Sequence, residues 1–567
     1  MDEIKKAIDK AIVDLVIEGG DFVVDHPTDK NTQADYFSNV AMVVSKQLGE
    51  APRTIAEQLC EALRGVIPQI EKIEVAGPGF LNFYVGRDFF AEKITKARIS
   101  GSDWGKNDSW KSKKVLVEYT DPNPFKEFHI GHLFTNAVGE SIARLFMMNG
   151  ADTKRVNYQG DVGLHVACAI AGLQSSQFNY TSASKDLNDL NPKILGQAYA
   201  YGASAYKEGR PEVVARIKEI NKAIYEGGDK EITALYETGR FVSLAYFETI
   251  YALVGTEFDE YFFESEAGPY GKELVLSHPS IFPESEGARI FDGEARGLHT
   301  RVFLNKEGLP TYEAKELALA RLKDERFGGY DHSVISTANE ISEYFKVLLC
   351  AMGDIYPELA AKTEHIGHGM VRLTTGKMSS RTGDVIPALS FIEEVATAAF
   401  EKMKESSGVA DTDTANDVAI AAIKYATLRG SIRQDSTFDK ERALSFEGDS
   451  GPYLQYTCAR INSVLEKALG AGVVADSQFP PVAPYDVEKI IYQFPEVIAT
   501  ALSERAPHKV TTYLTELAGA FNSFYAVEKI ADSADEFAPY KAAIADAVRI
   551  TLKNGLWVLG IKAPERM

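Results

Sequence analysis

The sequence of 567 residues contains few cysteines, and none of them lies near another. Four cysteines in a chain of this length, with no CxxC pair, argue against a zinc ribbon and against a disulfide framework. Thiols spaced so far apart favour a reducing compartment. We therefore expect a cytoplasmic protein without zinc. The four cysteines are Cys60, Cys168, Cys350 and Cys458.

Long apolar runs are also absent from the sequence. No stretch reaches the roughly 20 residues that a membrane-spanning helix needs, and Met1 opens onto an amphipathic helix rather than a signal peptide. We therefore expect no membrane partner. The length is sufficient for three or four domains, each with its own hydrophobic core.

Positive charge is scarce. The chain has 61 lysines and arginines against 81 aspartates and glutamates, which gives a formal net charge of -20 at pH 7. A net charge of this sign disfavours a nucleic-acid partner for the chain as a whole. It leaves room for a local cluster of basic residues, so any RNA-binding surface must be confined to part of the molecule.

The sequence does contain a strand-loop-helix pattern. Its strand lies just before and at the start of residues 118–150, and its loop and helix lie within them. The β-branched run KKVLVEY predicts a buried strand, and apolar residues at three- and four-residue spacing from Phe134 onward predict a helix that ends at Gly150. The loop between them is neither GxGxxG nor a P-loop. It carries instead Lys126, His129, Gly131 and His132.

This loop has the chemistry of a nucleotide site. At such corners of α/β folds, free backbone N–H groups and the positive end of a helix dipole face the phosphates. Two imidazoles and an ammonium can donate hydrogen bonds to a phosphate whose charge grows as pyrophosphate leaves, and Gly131 lets a flat ligand lie close to the backbone. The alternative is a pair of surface histidines at a helix N-terminus. It is less favoured, because two of the ten histidines flank one glycine here.

A second basic loop follows about 240 residues later, within residues 369–383. Two glycines bracket it, and its lysine supplies a charge that suits a triphosphate. Taken alone, a basic Gly/Ser loop of this kind is usually a surface turn. The residues of this loop that we expect to bind ATP are Lys377, Met378, Ser379 and Ser380.

A carboxylate and a phenol are predicted to share one helix face between these two loops. Glu316 lies four residues after Tyr312, so both side chains face the same direction on a helix. A carboxylate beside a phenol suits a guanidinium, which is planar and accepts bidentate pairing and stacking. The alternative is an exposed helix with a solvated glutamate. Asn339 and Glu340, at a predicted strand-helix corner, are each placed to contact substrate or ribose.

These motifs resemble those of one enzyme family. The HIGH tetrapeptide at residues 129–132 is the signature of class I aminoacyl-tRNA synthetases, and residues 377–381 resemble their KMSKS signature except at the last two positions. Asn123 and Lys126 resemble the PNxxKxxHxGH form particular to arginyl-tRNA synthetases. The closing LGIKAPERM is similar to the end of their anticodon-binding domain, so the resemblance covers nearly the whole chain.

The resemblance implies an α/β fold with a class I Rossmann-type parallel-sheet catalytic domain, an N-terminal α+β module and a C-terminal all-α anticodon-binding bundle. We expect the N-terminal tRNA-binding module at 1–110, the catalytic domain at 111–390 and the helical domain at 391–567. A polar, helical insertion at about 175–256 divides the predicted catalytic domain. In the first module, the sequence predicts helices at 3–17, 35–49 and 53–65, followed by two strands around a Gly/Pro turn.

The resemblance also implies which residues meet each substrate. The catalytic residues are expected to be Lys126, His129, His132 and Lys377, with Gly131 also contacting ATP. The residues expected to bind arginine are Glu118, Asn123, Tyr312, Glu316 and Asn339. The glutamate at 316 stands where the family more commonly has aspartate, so its side chain reaches one methylene farther.

Two further groups of residues are expected to contact tRNA. The resemblance implies that Phe80 and Asn82 contact the D-loop of tRNA. It also implies that the anticodon bases are contacted by Tyr456, Tyr525 and Met567. For the aromatic residues the alternative is packing in the core, because aromatic side chains at strand or helical spacing usually pack.

The predicted function is ligation of L-arginine to the 3′ end of tRNA(Arg), driven by ATP with Mg²⁺ and carried out by a monomer. One alternative is another enzyme of the HIGH superfamily. A cysteinyl synthetase normally carries zinc ligands, and a small nucleotidyltransferase lacks an anticodon-type domain. The other alternative is a non-catalytic RNA-binding paralogue, in which both signatures are expected to have decayed.

Overall fold

The computed structural model describes residues 1–14, 21–27, 29, 32–180, 186–374, 386–407 and 410–567. These residues form two units. The first contains Met1–Gly105, Arg460–Val497 and Glu516–Asn554, and the second contains Lys106–Ala459, Ile498–Thr515 and Gly555–Met567. Within the described ranges, no helix combines the length with the hydropathy that a membrane crossing requires.

The N-terminal segment is an α+β arrangement, as predicted. Its strands form an antiparallel sheet in the order β1-β2-β4-β3, and Ile4, Ile8 and Ile12 place one face of the first helix in the core. The elements are α1 (Asp2–Asp14), β1 (Val24–Asp25), β2 (Tyr36–Ser38), α2 (Val40–Leu48), α3 (Pro52–Leu63), β3 (Ile70–Ala76), β4 (Phe80–Val85) and α4 (Arg87–Ser100).

The helix predicted at 35–49 is wrong in its first residues. Tyr36–Ser38 is a strand that pairs with Leu81–Phe83 of β4, and the helix starts only at Val40. Backbone pairing with a distant strand overrides the local helical pattern here, because a strand edge offers hydrogen bonds that sequence spacing does not reveal.

The second unit contains the predicted parallel sheet and the helical insertion. Of the helices that the structure describes between the second and third strands of this region, α7 to α9 lie within the predicted insertion at about 175–256. The elements up to the third strand are β5 (Lys114–Glu118), α5 (Ile130–Met148), β6 (Asp152–Gln159), α6 (Leu164–Gln174), α7 (Pro192–Lys207), α8 (Pro211–Glu226), α9 (Lys230–Val254) and β7 (Glu260–Phe263).

The chain then completes the sheet. These elements are α10 (Glu264–Ser277), β8 (Glu284–Ser285), β9 (Ala288–Phe291), β10 (Arg301–Leu304), α11 (Tyr312–Phe327), β11 (His332–Ala338), α12 (Ser342–Ile355), α13 (Pro357–Lys362), β12 (Thr363–His368) and β13 (Val371–Leu373). The five-stranded sheet has the order β12-β11-β5-β6-β7 and is parallel throughout. Strand order reverses at β5, and such a switch point leaves a crevice at the carboxyl ends of the strands.

The remainder of the chain is almost entirely helical, as predicted. The elements are α14 (Ala388–Ser407), α15 (Thr412–Leu428), β14 (Ser436–Phe438), α16 (Lys440–Ala443), α17 (Gly451–Gly470), α18 (Glu488–Ile491), α19 (Phe494–Ser503), α20 (His508–Val527) and α21 (Ala538–Val558). Helix α15 packs on α5 and α14 through a shared apolar cluster.

Residues near the end of the given sequence contact α5 and α15 through two cationic side chains, the partly buried Arg144 and the buried Lys424. The Arg144 guanidinium, on α5, donates to the carbonyl of Trp557 at 2.7 Å. The buried Lys424 ammonium, on α15, donates to the carbonyls of Val254 at 2.6 Å and Gly560 at 2.8 Å. Gly560 has a φ of 70°, and a Cβ there would lie 2.7 Å from the ammonium. The C-terminal segment therefore closes over helix α5.

Candidate active site

A cavity of about 1260 Å³ lies in the second unit, at the carboxyl ends of the five parallel strands. Each strand contributes residues at or just after its last position, because parallel strands end at one edge of the sheet. The contributing residues are Glu118 at the end of β5, with Thr120, Asp121, Asn123 and Lys126 after it, Gly160 and Val162–His165 after β6, Glu264 after β7, Glu340 after β11 and His368 at the end of β12.

The predicted histidine corner lines this cavity at the start of α5. The rings of His129 and His132 stack with centroids 3.7 Å apart. The backbone N–H of His129 donates to Nδ1 of His132 at 3.3 Å, so in the neutral ring of His132 the proton is carried by Nε2. A Cβ at Gly131 would lie 2.9 Å from the His129 ring. Glycine is therefore required for the two rings to stack.

Both imidazoles are neutral at pH 7 in this arrangement. Burial, with a contribution from Lys126, lowers the pKa of His129 to about 4. Burial and then the neighbouring His129 hold the pKa of His132 well below its usual range. Burial also lowers the pKa of the Lys126 ammonium, which lies 5.0 Å from the ring centre of Tyr199. The corner thus offers two uncharged N–H donors and one ammonium.

The loop between β5 and this corner has an uncommon backbone. Thr120, Asp121 and Phe125 all have positive φ, at 81°, 46° and 67°, a region that side chains disfavour. Contacts with helix α9 hold the loop in place. The backbone N–H of Phe125 donates to Oγ of Ser243 at 2.9 Å, and a Cβ at Gly239 would lie 2.3 Å from the Phe125 ring. The helical insertion therefore fixes the loop that carries Lys126.

Residues on both sides of the second predicted loop approach the same corner. Met370 and Val371, before it, and Ile386, after it, line the cavity, and the backbone N–H of Ile130 donates to the carbonyl of Ile386 at 3.2 Å. The predicted ATP-binding residues of this loop lie outside the described residues. They are Lys377, Met378, Ser379 and Ser380.

The opposite wall of the cavity is rich in carboxylates. Glu118 is buried and pairs with the buried ammonium of Lys323. Glu264 accepts from the buried Lys315 ammonium at 2.6 Å. The other carboxylates that line the cavity are Asp121, Glu313, Glu316 and Glu340, and among the described residues none of these four forms an ion pair with a lysine. Acidic groups therefore outnumber cations on this wall.

Two of these carboxyl groups titrate far from their ordinary range. Burial, followed by the charge of Glu118, raises the pKa of Glu316 to about 8. Burial and the same neighbour raise the pKa of Asp121 well above its usual range. Excess buried negative charge of this kind suits a cationic ligand, which would favour the ionised form of each carboxyl group.

One further contact links the last strand to the histidine corner. The Thr135 hydroxyl on α5 donates to the carbonyl of Gly131 at 3.1 Å and lies 3.0 Å from Nε2 of the buried His368. His368 also lies 2.9 Å from the carbonyl of Gly369 through Nδ1. The end of β12 is therefore connected by side chains to the loop at Gly131.

The structure brings most predicted arginine-binding residues together. Glu118, Asn123, Tyr312 and Glu316 all line the cavity. Tyr312 begins helix α11 and is 52% exposed, whereas Glu316, one turn later, is 8% exposed. The fifth residue, Asn339, is exposed and does not line the cavity, whereas its neighbour Glu340 does.

None of the predicted tRNA-contacting residues lines this cavity. Phe80 and Asn82 are partly buried on the same face of β4, whereas the alternating residue Phe83 is fully buried in the core. Tyr456 and Tyr525 are each 37% exposed and so do not belong to the fully buried core. The fifth residue of this set, Met567, packs partly buried against the apolar cluster of the second unit.

The sequence analysis did not identify several residues that line the cavity or pair with its carboxylates. Glu264 directly follows the strand β7, a position where α/β folds often bind ligands, but no strand was predicted there. Lys315 and Lys323 share helix α11 with Glu316, but nothing local signals that they neutralise Glu264 and Glu118. His368 lies at the end of β12, a strand that was not predicted, so nothing in the sequence pointed to it.

The chain matches three family models that together cover most of its length. Residues 2–85 match the model described as Arginyl tRNA synthetase N terminal domain. Residues 93–440 match tRNA synthetases class I (R), catalytic domain. Residues 454–567 match DALR anticodon binding domain.

Two curated relatives are similar over the whole chain. The protein called arginine–tRNA ligase of Clostridium acetobutylicum is 30% identical over 569 residues, which cover 98% of each chain. The protein of the same name from Clostridioides difficile is 31% identical over 582 residues, which cover 100% of this chain and 99% of the relative.

Two solved structures share the fold. The arginyl-tRNA synthetase of Thermus thermophilus superposes with a TM-score of 0.79 at 24% identity. The arginyl-tRNA synthetase of Plasmodium falciparum superposes with a TM-score of 0.81 at 20% identity. In both cases the similarity covers 100% of this chain and 99% of the other.

Proposed function

The chain belongs to the family of arginyl-tRNA synthetases, and from that premise we propose how its cavity divides between the substrates. The enzyme activates L-arginine with ATP and transfers the arginyl group to the 3′ end of tRNA(Arg). L-arginine binds at the acidic wall, and ATP binds at the corner formed by Lys126, His129, Gly131 and His132.

The observation that carries this proposal is the charge distribution within one cavity. Carboxylates exceed ammonium groups at one wall, where the guanidinium binds between Tyr312 and Glu316. A guanidinium is planar and has five donors, so it can pair with a carboxylate and stack on a phenol at the same time. Asn123 and Glu118, nearer to the loop after β5, bind the α-ammonium end. Asn339 remains a proposed contact.

At the other end, hydrogen-bond donors meet the phosphates. The arginine carboxylate oxygen bonds to the α-phosphorus of ATP, and the bond from that phosphorus to the bridging oxygen of pyrophosphate breaks. Nε2–H of His132, a ring N–H of His129 and the Lys126 ammonium stabilise the charge that develops on the phosphate oxygens. From the loop that lies between Val371 and Ile386, we propose that Lys377 joins them, with Met378, Ser379 and Ser380 contacting ATP.

Magnesium enters this proposal with the nucleotide. In the described part of the chain, no cluster of three or more His, Cys, Asp or Glu side chains is arranged to hold a metal ion. Mg²⁺ usually keeps several waters and binds substrate phosphates rather than an all-protein cage. The ion therefore fits as the Mg²⁺ complex of ATP, where it screens the charge of the departing pyrophosphate.

The second step transfers the arginyl group. A ribose hydroxyl of the 3′-terminal adenosine bonds to the carbonyl carbon, and the bond from that carbon to the phosphate oxygen breaks to release AMP. We propose that Phe80 and Asn82 contact the D-loop of tRNA, and that Tyr456, Tyr525 and Met567 contact anticodon bases. The partial exposure of both tyrosines supports stacking on unpaired bases.

The remaining parts of the proposal concern organisation. Functional boundaries at 1–110, 111–390 and 391–567, with an insertion at about 175–256, correspond to tRNA binding, catalysis and anticodon binding. The helices α7 to α9 support the position of the insertion. The enzyme acts as a cytoplasmic monomer.

The test is ATP–pyrophosphate exchange with each of the twenty amino acids, measured with and without bulk tRNA. We expect exchange with L-arginine alone, because the acidic wall selects a guanidinium, and we expect it to require tRNA, as the family resemblance implies. Lysine is the matched control, because its single point charge cannot pair bidentately with a carboxylate. Exchange with another amino acid, or none with arginine under either condition, would contradict the proposal.

A further inference from the structure

His368, the last residue of β12, makes contacts that the proposed chemistry does not use. It is 4% exposed and lies between two backbone segments that line the cavity. On one side, its Nδ1 lies 2.9 Å from the carbonyl oxygen of Gly369. On the other side, its Nε2 lies 3.0 Å from the hydroxyl oxygen of Thr135, which is itself 3.1 Å from the carbonyl oxygen of Gly131. Side chains therefore join the end of β12 to the first turn of α5.

The number of protons on the imidazole decides how many of these contacts are hydrogen bonds. Both carbonyl groups only accept, and the Thr135 hydroxyl has one proton to donate. When a neutral His368 ring donates from Nδ1 to Gly369, its Nε2 is an acceptor. Thr135 can then donate to His368 or to Gly131, but not to both. Burial lowers the pKa of His368, which favours this neutral form. The Thr135 hydroxyl is therefore shared between the imidazole and the backbone of α5.

The backbone on the other side of His368 is held in place by a distant part of the chain. The N–H of Gly369 donates to the carbonyl of Ile432 at 2.7 Å. A Cβ at Gly369 would lie 2.2 Å from the carbonyl oxygen of Gln434, so the two backbone segments are in close contact. Packing this tight leaves the segment at Gly369 little freedom to shift. A side chain that joins it to Thr135 therefore fixes the position of Thr135.

The backbone at Gly131 is the part of the ATP end that most needs a fixed position. It lies so close to the stacked rings of the histidine corner that a Cβ there would be 2.9 Å from the ring of His129. A binding site works well only when its groups are held within about 0.5 Å of the productive geometry. Since Thr135 contacts the carbonyl of Gly131, a residue that holds Thr135 in place affects ATP without touching it.

We propose that His368 is a positioning residue for ATP, which acts through the Thr135 hydroxyl to hold the backbone at Gly131 in register with the segment at Gly369. This inference rests on the proposed function, because it requires ATP to bind at the histidine corner. His368 acts on Thr135 and not on the reacting atoms. The carboxylates proposed to bind arginine belong to the opposite wall, so the effect of His368 is confined to the nucleotide.

The test measures the KM for ATP and the KM for arginine in ATP–pyrophosphate exchange, with the full-length enzyme and saturating tRNA(Arg). His368→Ala should raise the KM for ATP about three- to tenfold, as expected for the loss of one neutral hydrogen bond, and leave the KM for arginine unchanged. Thr135→Val removes the hydroxyl but keeps the shape of the side chain, and should have an effect of similar size. The double variant should be no worse than the more affected single variant, because both substitutions remove the same contact.

Two conservative variants separate this contact from general packing. The amide of glutamine can reach the place of Nε2, whereas the amide of asparagine reaches only the place of Nδ1. His368→Gln should therefore keep the KM for ATP close to that of the wild type, and His368→Asn should behave like His368→Ala. Thr397→Val is the matched control. The Thr397 hydroxyl donates to the carbonyl of Glu393 in the preceding helical turn, as Thr135 does to Gly131, but Thr397 is exposed on α14 and does not line the cavity. This control should behave like the wild type.

The outcomes separate the inference from the proposed function. If the effects of His368→Ala and Thr135→Val multiply in the double variant, or if neither changes the KM for ATP, the inference is wrong. A KM for arginine that rises as much as the KM for ATP would show a loss of packing across the cavity, which also overturns it. If His368→Ala does not fold, the glutamine and asparagine variants decide, and equal KM values for ATP in these two contradict the inference. If the wild-type enzyme shows no exchange with arginine, the proposed function itself fails.

Discussion

The two ends of the cavity are shaped by the same physical effect acting on opposite charges. At the histidine corner, burial and a neighbouring cation remove the positive charge of His129 and His132. At the acidic wall, burial and a neighbouring anion remove the negative charge of Glu316 and Asp121. Before substrates bind, both ends are therefore less charged than their residue types imply.

The difference lies in what each substrate does to this balance. Phosphates at the histidine corner favour the protonated imidazoles, so ATP binding raises the pKa of these groups and promotes proton uptake. A guanidinium at the acidic wall favours the ionised carboxyl group, so arginine binding lowers the pKa of Glu316 and releases a proton. In the proposed arrangement, each substrate therefore shifts the pKa values at its own end of the cavity toward the charged form.

The largest effect is expected at the histidine corner. His132→Ala removes the Nε2–H donor to the developing phosphate charge, and we expect kcat to fall by about 10²- to 10³-fold. The dissociation constant for tRNA should change little, because the residues proposed to contact the D-loop and the anticodon do not include His132. The rates are measured by aminoacylation, and tRNA binding is measured by a filter assay. The control is His299→Ala, at an exposed position outside the cavity, and an unchanged rate for His132→Ala would remove this donor from the mechanism.

A smaller effect, on binding rather than on rate, is expected at the acidic wall. Glu316→Ala should raise the KM for arginine by about 10- to 100-fold, since a charged hydrogen bond contributes about 1.5–3 kcal/mol. Glu316→Asp restores a carboxylate one methylene shorter and should recover part of the affinity. Glu325→Ala, on the exposed side of the same helix, should leave the KM as it is. Equal KM values for Glu316→Ala and the wild type would place the guanidinium elsewhere.

The smallest effect is the pH dependence of arginine binding. With a pKa of about 8, the Glu316 carboxyl group is mostly protonated at pH 7 and mostly ionised above pH 8. Because arginine binds the ionised form, its KM should fall by roughly five- to tenfold as the pH rises from 7 to 8.5. Glu316→Gln cannot titrate, so its KM should be high and should vary less over this range. A KM that rises with pH in the wild type would reverse the assignment.

Local patterns predicted the parts of the site that are close along the chain. The strand before Glu118 and the helix after His129 follow from hydrophobic spacing, and the pair Tyr312 and Glu316 follows from the four-residue repeat of a helix. The parallel sheet and the helical insertion agree with the resemblance as well. For the strand, the helix and the Tyr312–Glu316 pair, the determining contacts are made within a few turns of chain, whereas the sheet and the insertion followed from the resemblance.

The parts that the sequence did not reveal depend on contacts between distant segments. Lys323 lies on the helix after β10 and neutralises Glu118 at the end of β5, a pairing that neither segment signals alone. Tyr36–Ser38 becomes a strand only because β4 offers it a partner. The reduced charge of the histidines follows from burial, which residue identity does not specify.

The closure of the C-terminal segment over α5 has a consequence for synthesis on the ribosome. The carbonyls of Trp557 and Gly560 accept hydrogen bonds from Arg144 on α5 and from Lys424 on α15, and both carbonyls are translated after these two helices. Until they emerge, the Lys424 ammonium has one fewer acceptor, and a buried cation without its partners is strongly destabilising. A nascent chain that terminates before Trp557 therefore lacks the acceptors for Arg144 and Lys424, and helix α5 is less well held in place. Such incomplete products are expected to be inactive and sensitive to proteolysis.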